Sequence, residues 1–277
     1  MPSLKEIRNK ISSVKSTKRI MQAMKMIATV KYAKTQVMIS SYRPYYDAYK
    51  KIISTLSKMS TKNGEKYLKS RDAENDLLII ISSDRGLCGS YNTSLFRKID
   101  KDDKTFHGKI YIGKKGKDYF KDEGYLEEDI SFTEKNFKEV AAEISPKILE
   151  KFLNFEVSNV YIGYNKFISA ITQEPNISRV LPFDTYESDS DANDVLIEPD
   201  VEDFIDIVFP QFFNLILSSI MLDAITSEHA ARTAAMDNAT RNADDIIKET
   251  TKLFNKTRQA SITTELMDIV NGAEAVK

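Results

Sequence analysis

Apolar side chains at both ends of the chain recur three and four residues apart, the spacing of a long helix that pairs with another helix. Near the N-terminus this repeat is interrupted once, at Lys18, and consists of Leu4, Ile7, Ile11, Val14, Met21, Met24, Ile27 and Ala28. Ser3 followed three residues later by Glu6 is a capping box, which predicts where the helix starts. Pro44 predicts a kink or break near Arg43, with a second helical piece running to about Met59.

The C-terminal segment predicts a second and longer helix. It begins after Glu198-Pro199-Asp200, where a proline and acidic residues favour a helix N-terminus. Pro210 predicts a kink in an early turn, and nothing interrupts the pattern from there to Gly272. The last part of the repeat mixes hydroxyl side chains with apolar ones and consists of Ile246, Thr250, Leu253, Thr257, Ala260, Thr264 and Met267. Such a weakly hydrophobic face fits either a thin two-helix stalk or a helix that sits inside another protein without sticking.

Between these helices the sequence predicts a smaller domain of alternating strands and helices. Eight of the nine glycines lie between Gly64 and Gly163. The predicted strands are 76–82, 109–113, 157–164, 168–172 and 177–182, and the predicted helices are 91–101, 115–121 and 134–152. A hairpin turn is predicted around Asn165 and Lys166. The alternation indicates an α/β domain with a mostly parallel sheet.

Charge is distributed unevenly along the chain, although the net charge is only −1. Residues 1–60 carry thirteen lysines and arginines against two acidic residues, whereas residues 199–277 carry seven basic and thirteen acidic residues. The opposite charges favour pairing of the two ends. The N-terminal surplus of eleven positive charges also predicts a negatively charged surface elsewhere, which nucleic acid, acidic lipid or an acidic protein would provide.

Several classes of protein are disfavoured by the sequence. A single cysteine, Cys88, excludes an internal disulfide, and two distant histidines, His107 and His229, give no plausible zinc site. No run approaches the roughly 18 consecutive apolar residues of a membrane span, so a soluble chain is predicted. The start at Met1 leads directly into a charged helix without the apolar core of a secretory signal, which predicts a location on the cytoplasmic side.

One turn merits consideration as a nucleotide site. The strand ending at Ser82 runs into Ser83–Asn92, a strand-to-helix passage where α/β folds often hold ligands. It lacks GxGxxG and GxxxxGK[ST], and no catalytic set stands beside it. A tight turn is therefore the favoured interpretation, with Gly86 and Gly89 permitting unusual backbone angles. Cys88 is either an inert, partly buried thiol or a reactive one whose pKa is lowered by Arg85.

Four stretches, taken together and in this order, carry a specific pattern. They are Leu4-Lys5-Glu6-Ile7-Arg8 with Ala23-Met24-Lys25-Met26, Ser83-Asp84-Arg85-Gly86-Leu87-Cys88-Gly89, Glu198-Pro199-Asp200, and Asn255-Lys256-Thr257-Arg258-Gln259-Ala260-Ser261-Ile262-Thr263-Thr264-Glu265-Leu266 through Asp268 and Gly272-Ala273. The pattern spans the whole chain and resembles the gamma subunits of F-type ATP synthases. This resemblance implies an α/β fold plus a long antiparallel coiled coil, in which the N- and C-terminal helices pair around an inserted Rossmann-like domain. The boundaries we predict are 1–60 for the first coiled-coil helix, 61–75 for a linker, 76–198 for the α/β domain with an acidic loop at 184–194, and 199–277 for the second helix.

The resemblance also implies a function. Gamma subunits are central rotor shafts that transmit torque between proton-driven rotation of a membrane ring and ATP synthesis or hydrolysis on partner subunits. The chain would then be non-catalytic, with no catalytic residue, cofactor or metal of its own. Its expected partners are the alpha and beta subunits of the F1 ring, the epsilon subunit and the membrane c-ring, with no nucleic acid and no direct membrane insertion. The expected location is peripheral, on the cytoplasmic face of a bacterial plasma (inner) membrane, or alternatively on the inner face of the mitochondrial inner membrane.

Ten residues are implied as partner contacts by the same resemblance. They are Met24, Lys25, Asp84, Arg85, Cys88, Glu198, Arg258, Gln259, Thr264 and Glu265. Arg258 and Gln259 match residues that engage a catch loop of the catalytic subunit, and Met24 matches the contact between the paired helices. Cys88 is expected near an acidic lever of the catalytic subunit, and Glu198 is expected where the foot meets the membrane ring.

Two other functions stay open on sequence alone. A basic coiled-coil module for nucleic acid would explain the charge surplus of the first helix, but the chain lacks the aromatic platforms and reading motifs of such modules. An α/β enzyme with helical extensions would explain the central domain, and turnover of a nucleotide by the isolated chain would support it.

Overall fold

The computed structural model describes residues 3–59, 61–69, 75–121, 130–184, 197–198 and 200–275. Its elements are α1 (Leu4–Lys58), α2 (Lys62–Leu68), β1 (Asp76–Ile81), α3 (Tyr91–Asp100), β2 (Gly108–Ile112), α4 (Lys114–Phe120), α5 (Phe137–Leu153), β3 (Asn159–Phe167), β4 (Gln173–Leu181) and α6 (Val201–Ala275). Apart from Asp184, the predicted acidic loop lies outside the described residues. The chain divides into two compact units: the end unit, Met1–Ile27 with Thr233–Lys277, and the central unit, Ala28–Arg232. Helices α1 and α6 each contribute residues to both units.

In the end unit the two terminal helices run antiparallel and keep a constant register. Three pairs of side chains join them: Arg8 with the Phe254 ring, Lys18 with Asp244, and Lys25 with Asp237. Ten residues separate the first pair from the second on both helices, and seven separate the second from the third. Neither helix slips against the other over this length, as the three-and-four spacing of a helix pair requires.

As far as Thr257, the contacting face of α6 differs from the predicted one by a single residue at two places. The later members of the predicted face, Ala260, Thr264 and Met267, are exposed. Thr250 is buried and Thr257 is partly buried, as the repeat predicts. The prediction was wrong for Ile246 and Leu253, which are exposed, because the residues that follow them, Ile247 and Phe254, face the partner helix instead. Each site has two adjacent apolar residues, so the sequence permits either of two faces and only the packing against α1 selects between them.

On α1 the predicted face is also largely correct. Its buried members are Ile7 and Ala28, and its partly buried members are Leu4, Ile11, Val14, Met21 and Met24. Lys18, which interrupts the apolar repeat, keeps the spacing and places its ammonium 2.6 Å from the Asp244 carboxylate. Ile27 does not belong to this face, because it is exposed and its neighbour Ala28 takes the buried position.

The central unit is built on a four-stranded sheet with the strand order β2-β1-β3-β4. β1 pairs in parallel with β2 and β3, and β4 is antiparallel to β3, which confirms the mostly parallel sheet. Side chains of β1 alternate between two layers, as a strand covered on both faces must. Leu77 and Ile79 face the larger core formed with α5 and α6, whereas Leu78 and Ile80 face the smaller core formed with α3.

The predicted hairpin is the main error in the sheet. β3 continues to Phe167 and β4 starts at Gln173, so the turn does not lie around Asn165 and Lys166. It lies at 168–172, where the predicted strand was wrong. Asn165 lies in the strand because its amide donates to the Tyr91 carbonyl at 2.8 Å. A side chain with the chemistry of a turn residue is thus used for a tertiary contact.

The predicted linker contains a helix, α2, which the sequence interpretation missed. Thr61 caps its start by accepting a hydrogen bond from the Gly64 amide at 3.1 Å. The Glu202 carboxylate on α6 accepts two more, from the amides of Lys62 and Asn63 at 2.9 and 2.7 Å. A helix of seven residues is too short to show a periodic pattern in the sequence. Part of its capping comes from a distant helix, which the local sequence does not indicate.

Pro44 does not divide α1, which is assigned as one helix from Leu4 to Lys58. The helix is held on both sides of the proline by aromatic contacts with the core, since Tyr42 packs against Phe137 and Tyr46 against Phe212. Packing of this kind offsets the loss of one backbone hydrogen bond.

Part of α6 is more apolar than we expected. It contains an 18-residue window of mean hydropathy 1.7, which by length and composition could cross a membrane. However, 61% of that window is buried within the fold, and Phe209, Phe212 and Phe213 of α6 are completely buried in the larger core. A core helix satisfies the same composition test, and the packing of α6 fits that interpretation.

Candidate functional site

The turn between β1 and α3, residues 83–90, is held in one shape by its own hydrogen bonds. The Ser83 hydroxyl donates to the Arg85 carbonyl at 2.8 Å and accepts from the Asn92 amide group at 2.7 Å. Leu87 and Gly89 have positive φ angles of 65° and 63°, and a non-glycine residue in this region is uncommon. The turn thereby presents Leu87 to the solvent with 61% of its surface exposed.

Two of the predicted contact residues in this turn have structural partners. Asp84 Oδ1 accepts from the Lys114 amide at 3.1 Å and from the Ser131 hydroxyl at 3.0 Å. Cys88 is buried, and burial raises the pKa of its thiol despite the opposing effects of Ser83 and Arg232. This agrees with an inert thiol and gives no support to activation by Arg85.

Arg232 of helix α6 forms hydrogen bonds with the backbone of this turn. Its Nη2 atom donates to the Arg85 carbonyl at 3.2 Å and to the Gly86 carbonyl at 3.5 Å. Its Nη1 atom lies 2.6 Å from Glu228 Oε1, one helical turn earlier. Both side chains of this ion pair are largely buried. The backbone that bears the exposed Arg85 side chain is therefore hydrogen-bonded to α6.

The crevice in which α/β folds of this type bind nucleotides has two buried polar side chains beside it. It lies at the carboxyl ends of β1 and β3, where the chain connections diverge. Tyr91 is buried there and donates its hydroxyl proton to the Ala224 carbonyl at 3.0 Å. Asn165 is also buried and bonds to the Tyr91 carbonyl. Both side chains are thus held by hydrogen bonds within the fold.

A second contact with α6 lies beside this crevice. The Asp223 carboxylate accepts a hydrogen bond from the Phe167 amide at 3.2 Å, at the end of β3. Burial raises the pKa of Asp223 to about 6, and the hydrogen bond, Lys166 and Arg43 oppose that rise. One helix thus anchors the loops that follow two neighbouring strands, through Arg232 and Asp223.

Sequence analysis missed a polar cluster in which Glu134 and His229 are buried and Lys31 is partly exposed. The Lys31 ammonium lies 3.2 Å from Glu134 Oε1, and His229 Nε2 lies 3.9 Å from Glu134 Oε2. Burial, and then the charges of Arg232 and Lys31, lower the pKa of His229 to about 4. Burial opposes ionisation of Glu134, but a backbone hydrogen bond and Lys31 outweigh it and lower its pKa. These residues are far apart in sequence, so no local signal could reveal the cluster.

In the end unit the predicted contact residues fall into two groups. Met24 and Lys25 lie where the helices pair, and Lys25 forms an ion pair with Asp237. The other group is exposed on α6 and comprises Arg258, Gln259, Thr264 and Glu265. The register of the three side-chain pairs places Leu4, the first residue of α1, level with Arg258. The part of α6 after Arg258 therefore extends beyond the first residue of α1.

This last part of α6, which we call the C-terminal tip (residues 259–275), exposes large apolar side chains. They are Ile262, Leu266, Met267, Ile269 and Val270. Thr264 donates its hydroxyl proton to the Ala260 carbonyl at 3.0 Å, and its side chain is exposed. Glu198, the remaining predicted contact residue, is exposed just before α6 begins in the central unit. The ten predicted residues are thus divided between the two units.

This chain matches known proteins over its full length. Residues 3–276 match a family model described as ATP synthase. The ATP synthase gamma chain of Lawsonia intracellularis is 39% identical over 289 residues, with all of both chains covered. That of Syntrophus aciditrophicus is 35% identical over 288 residues, covering 100% of this chain and 99% of the relative.

Two solved structures share the fold. A chain in the Euglena gracilis mitochondrial ATP synthase matches with a TM-score of 0.68 and 21% identity, covering 99% of this chain and 94% of that one. A chain in the central stalk and c-ring structure of the Tetrahymena thermophila enzyme matches with a TM-score of 0.61 and 23% identity, covering 79% of this chain and 99% of that one. With the full-length sequence relatives, these findings establish that the chain belongs to the family of ATP synthase gamma chains.

Proposed function

We propose that this chain, as the central rotor shaft of an ATP synthase, transmits torque through its paired terminal helices while all nucleotide chemistry takes place on partner subunits. The observation that supports this proposal is that the C-terminal tip of α6 continues past the start of α1. An unpaired helix that exposes five large apolar side chains has no partner within the described part of its own unit. Apolar surface of this size marks a protein contact.

The tip fits a sleeve in which a helix can turn. Its apolar side chains give it a face for contact, while Arg258, Gln259 and Glu265 provide exposed polar groups near it. We propose that Arg258, Gln259, Thr264 and Glu265 contact the alpha and beta subunits there. Because a single shaft presents different side chains in different directions, it favours a different conformation in each surrounding subunit.

In the central unit we propose that Asp84, Arg85 and Cys88 shape a turn that meets the catalytic subunits. Arg85 and Leu87 supply its exposed surface, while the buried Cys88 supports it from within. Met24 and Lys25 are proposed to set the register of the paired helices near the ring. Glu198 is proposed to lie at the foot, toward the c-ring and the epsilon subunit.

Two features argue against the alternative functions. For an α/β enzyme, Tyr91 and Asn165 beside the crevice that would bind a nucleotide are buried and hydrogen-bonded within the fold. For a nucleic-acid module, Lys18 and Lys25 would have to be available, but both are paired with carboxylates of α6. Part of the N-terminal charge surplus is thus used within the end unit.

The proposed setting is the cytoplasmic face of a bacterial plasma membrane, since the two full-length sequence relatives named above come from bacteria. The inner face of the mitochondrial inner membrane is the alternative. The test is to isolate the tagged chain under mild conditions and identify what accompanies it. We expect the alpha and beta subunits in a fixed ratio, with epsilon and the c-ring when detergent is present. A chain that is recovered alone, or with bound nucleic acid that dissociates at moderate salt, would contradict the proposal.

A further inference from the structure

We propose that Glu202 is a positioning residue for the transfer of torque from the α/β domain to the shaft, because its carboxylate fastens helix α2 to the first turn of α6. This inference rests on the rotor function proposed above. It assigns a role to a residue that lies outside all four of the sequence motifs.

Both carboxylate oxygens of Glu202 are used within the fold. Oε1 accepts a hydrogen bond from the Lys62 amide at 2.9 Å, and Oε2 accepts one from the Asn63 amide at 2.7 Å. An acidic residue in the first turn of a helix ordinarily stabilises that helix. In α6 this is done by Asp200, which accepts a hydrogen bond from the Glu202 amide at 2.7 Å. The Glu202 side chain is directed to another helix, which lies 140 positions earlier in the chain.

Further contacts hold α2 against the same part of α6. The side-chain amide of Asn63 donates to Asp206 Oδ2 at 2.9 Å, and the Tyr67 ring stacks on Phe209 with ring centroids 4.9 Å apart. The Tyr67 carbonyl also accepts a hydrogen bond from the Phe183 amide at 2.9 Å, just after β4. Helix α2 is therefore bonded both to the sheet and to α6, and we call these contacts the α2 junction.

The C-terminal end of α1 lies at the same junction. Ile53 and Leu56 of α1 are buried in the larger core together with Tyr67 and Phe209. Three residues separate the end of α1 from the start of α2. A force that turns the sheet therefore reaches both shaft helices here. It reaches α1 through this short connection and α6 through the Glu202 carboxylate.

The geometry at Glu202 requires a carboxylate. Glutamine has one acceptor oxygen, and its NH₂ group would face the second backbone N–H. A hydrogen bond to an ionised group is also about twice as strong as a neutral one. Glu202→Gln therefore loses one bond to α2 and weakens the other. The contacts of Asn63 with Asp206 and of Tyr67 with Phe209 remain, so we expect the variant to fold.

The experiment measures the stiffness of the shaft in the complete ATP synthase, whose ring is fixed to a surface. A gold particle is attached to Phe155→Cys, an exposed position of the central unit, in a Cys88→Ser parent chain. Between steps the particle fluctuates about a fixed angle, and the variance of that angle reports the torsional stiffness between the particle and the ring. Asp203→Asn is the matched control. It removes one negative charge from the same turn, but Asp203 is exposed and forms no ion pair or side-chain hydrogen bond within the described part of the chain.

We expect Glu202→Gln to increase the angular variance about twofold over that of Asp203→Asn and the parent. The rate of ATP hydrolysis at saturating ATP should stay unchanged, because the chemistry takes place on partner subunits. A role limited to folding would lower the yield of assembled complexes and leave their angular variance as in the parent. Asp206→Asn weakens the same junction through Asn63 and should give a smaller increase. It carries the test if Glu202→Gln does not assemble.

Two results would overturn this inference. Equal variances for Glu202→Gln, Asp206→Asn and Asp203→Asn in rotating complexes would show that the α2 junction transfers no torque, and would leave the rotor proposal intact. A parent particle that never rotates while ATP is hydrolysed would contradict the rotor proposal, and this inference with it.

Discussion

The guanidinium of Arg232 donates a hydrogen bond to the carbonyl of Arg85 at 3.2 Å, across 147 positions of sequence. The same guanidinium forms a buried ion pair with Glu228. Helix α6, which continues into the end unit, is thereby bonded directly to a turn that we propose to meet the catalytic subunits.

Replacing Arg232 with alanine should destabilise the chain strongly. Glu228 would keep its buried position without its cation, and breaking a buried ion pair typically costs about 3 kcal/mol or more. We expect a loss of about that size in the free energy of unfolding, measured by urea titration. Arg241→Ala is the matched control, because Arg241 forms the same one-turn pair with Asp237 but its side chain is 74% exposed. A similarly small loss of unfolding free energy for both variants would show that Arg232 does not stabilise the turn.

The ion pair between Lys18 and Asp244 should contribute to the register of the helix pair. Lys18→Glu would place two carboxylates together, and we expect a loss of about 1 kcal/mol, since the pair is only partly shielded from water. The double variant Lys18→Glu/Asp244→Lys should recover most of the loss. Thermal unfolding followed by circular dichroism measures both. A double variant as unstable as the single one would contradict the observed pairing.

Acid should destabilise the chain through His229. The folded protein binds this proton less readily than the unfolded chain does, because the pKa falls from 6.5 to about 4. The contribution of His229 to the free energy of unfolding is therefore fully present above pH 6.5. It is lost as the pH falls toward 4, by up to about 3 kcal/mol. His229→Gln should remove this loss.

Asp223 acts in the opposite direction, because its pKa is raised to about 6. It favours the folded state at low pH and loses that effect as the pH rises through 6. Urea titrations of the parent chain, His229→Gln and Asp223→Asn between pH 4 and 8 separate the two. Parallel pH profiles for the parent and His229→Gln would count against the assigned role of this histidine.

Removal of the C-terminal tip should uncouple the machine without unfolding the chain. A chain ending at Lys256 keeps the central unit and all but the last positions of the helix pair, but it loses Arg258, Gln259 and the exposed apolar face. We expect normal circular dichroism and a several-fold lower rate of ATP synthesis driven by a proton gradient in vesicles. A chain ending at Asn271 should retain most of the activity. Equal synthesis rates for both truncations would remove the role assigned to the tip.

Much of the fold was predictable because the strongest signals are local and repeated. The three-and-four repeat identified both terminal helices, and the uninterrupted apolar run of β1 identified a central strand. Where adjacent residues are both apolar, as at Leu253 and Phe254, the repeat cannot say which one faces the partner. Asn165 misled the hairpin prediction because its polar side chain serves a distant carbonyl and not a turn.

The candidate site was predictable only where a motif exists. Resemblance located the turn around Arg85 and the C-terminal residues around Arg258. It gave no indication of the anchoring roles of Arg232 and Asp223, since a lone charged residue on a helix is usually a solvated one.

Direct observation of rotation tests the central claim. Phe155, an exposed residue of the central unit, can be replaced with cysteine in the Cys88→Ser chain and used to attach a gold particle to the complete complex, whose ring is fixed to a surface. We predict that the particle turns in one direction and in discrete steps while ATP is hydrolysed, and that it stops when Leu87→Cys is cross-linked to the ring. A particle that stays still while hydrolysis continues at the full rate would contradict the assignment of this chain as the rotor.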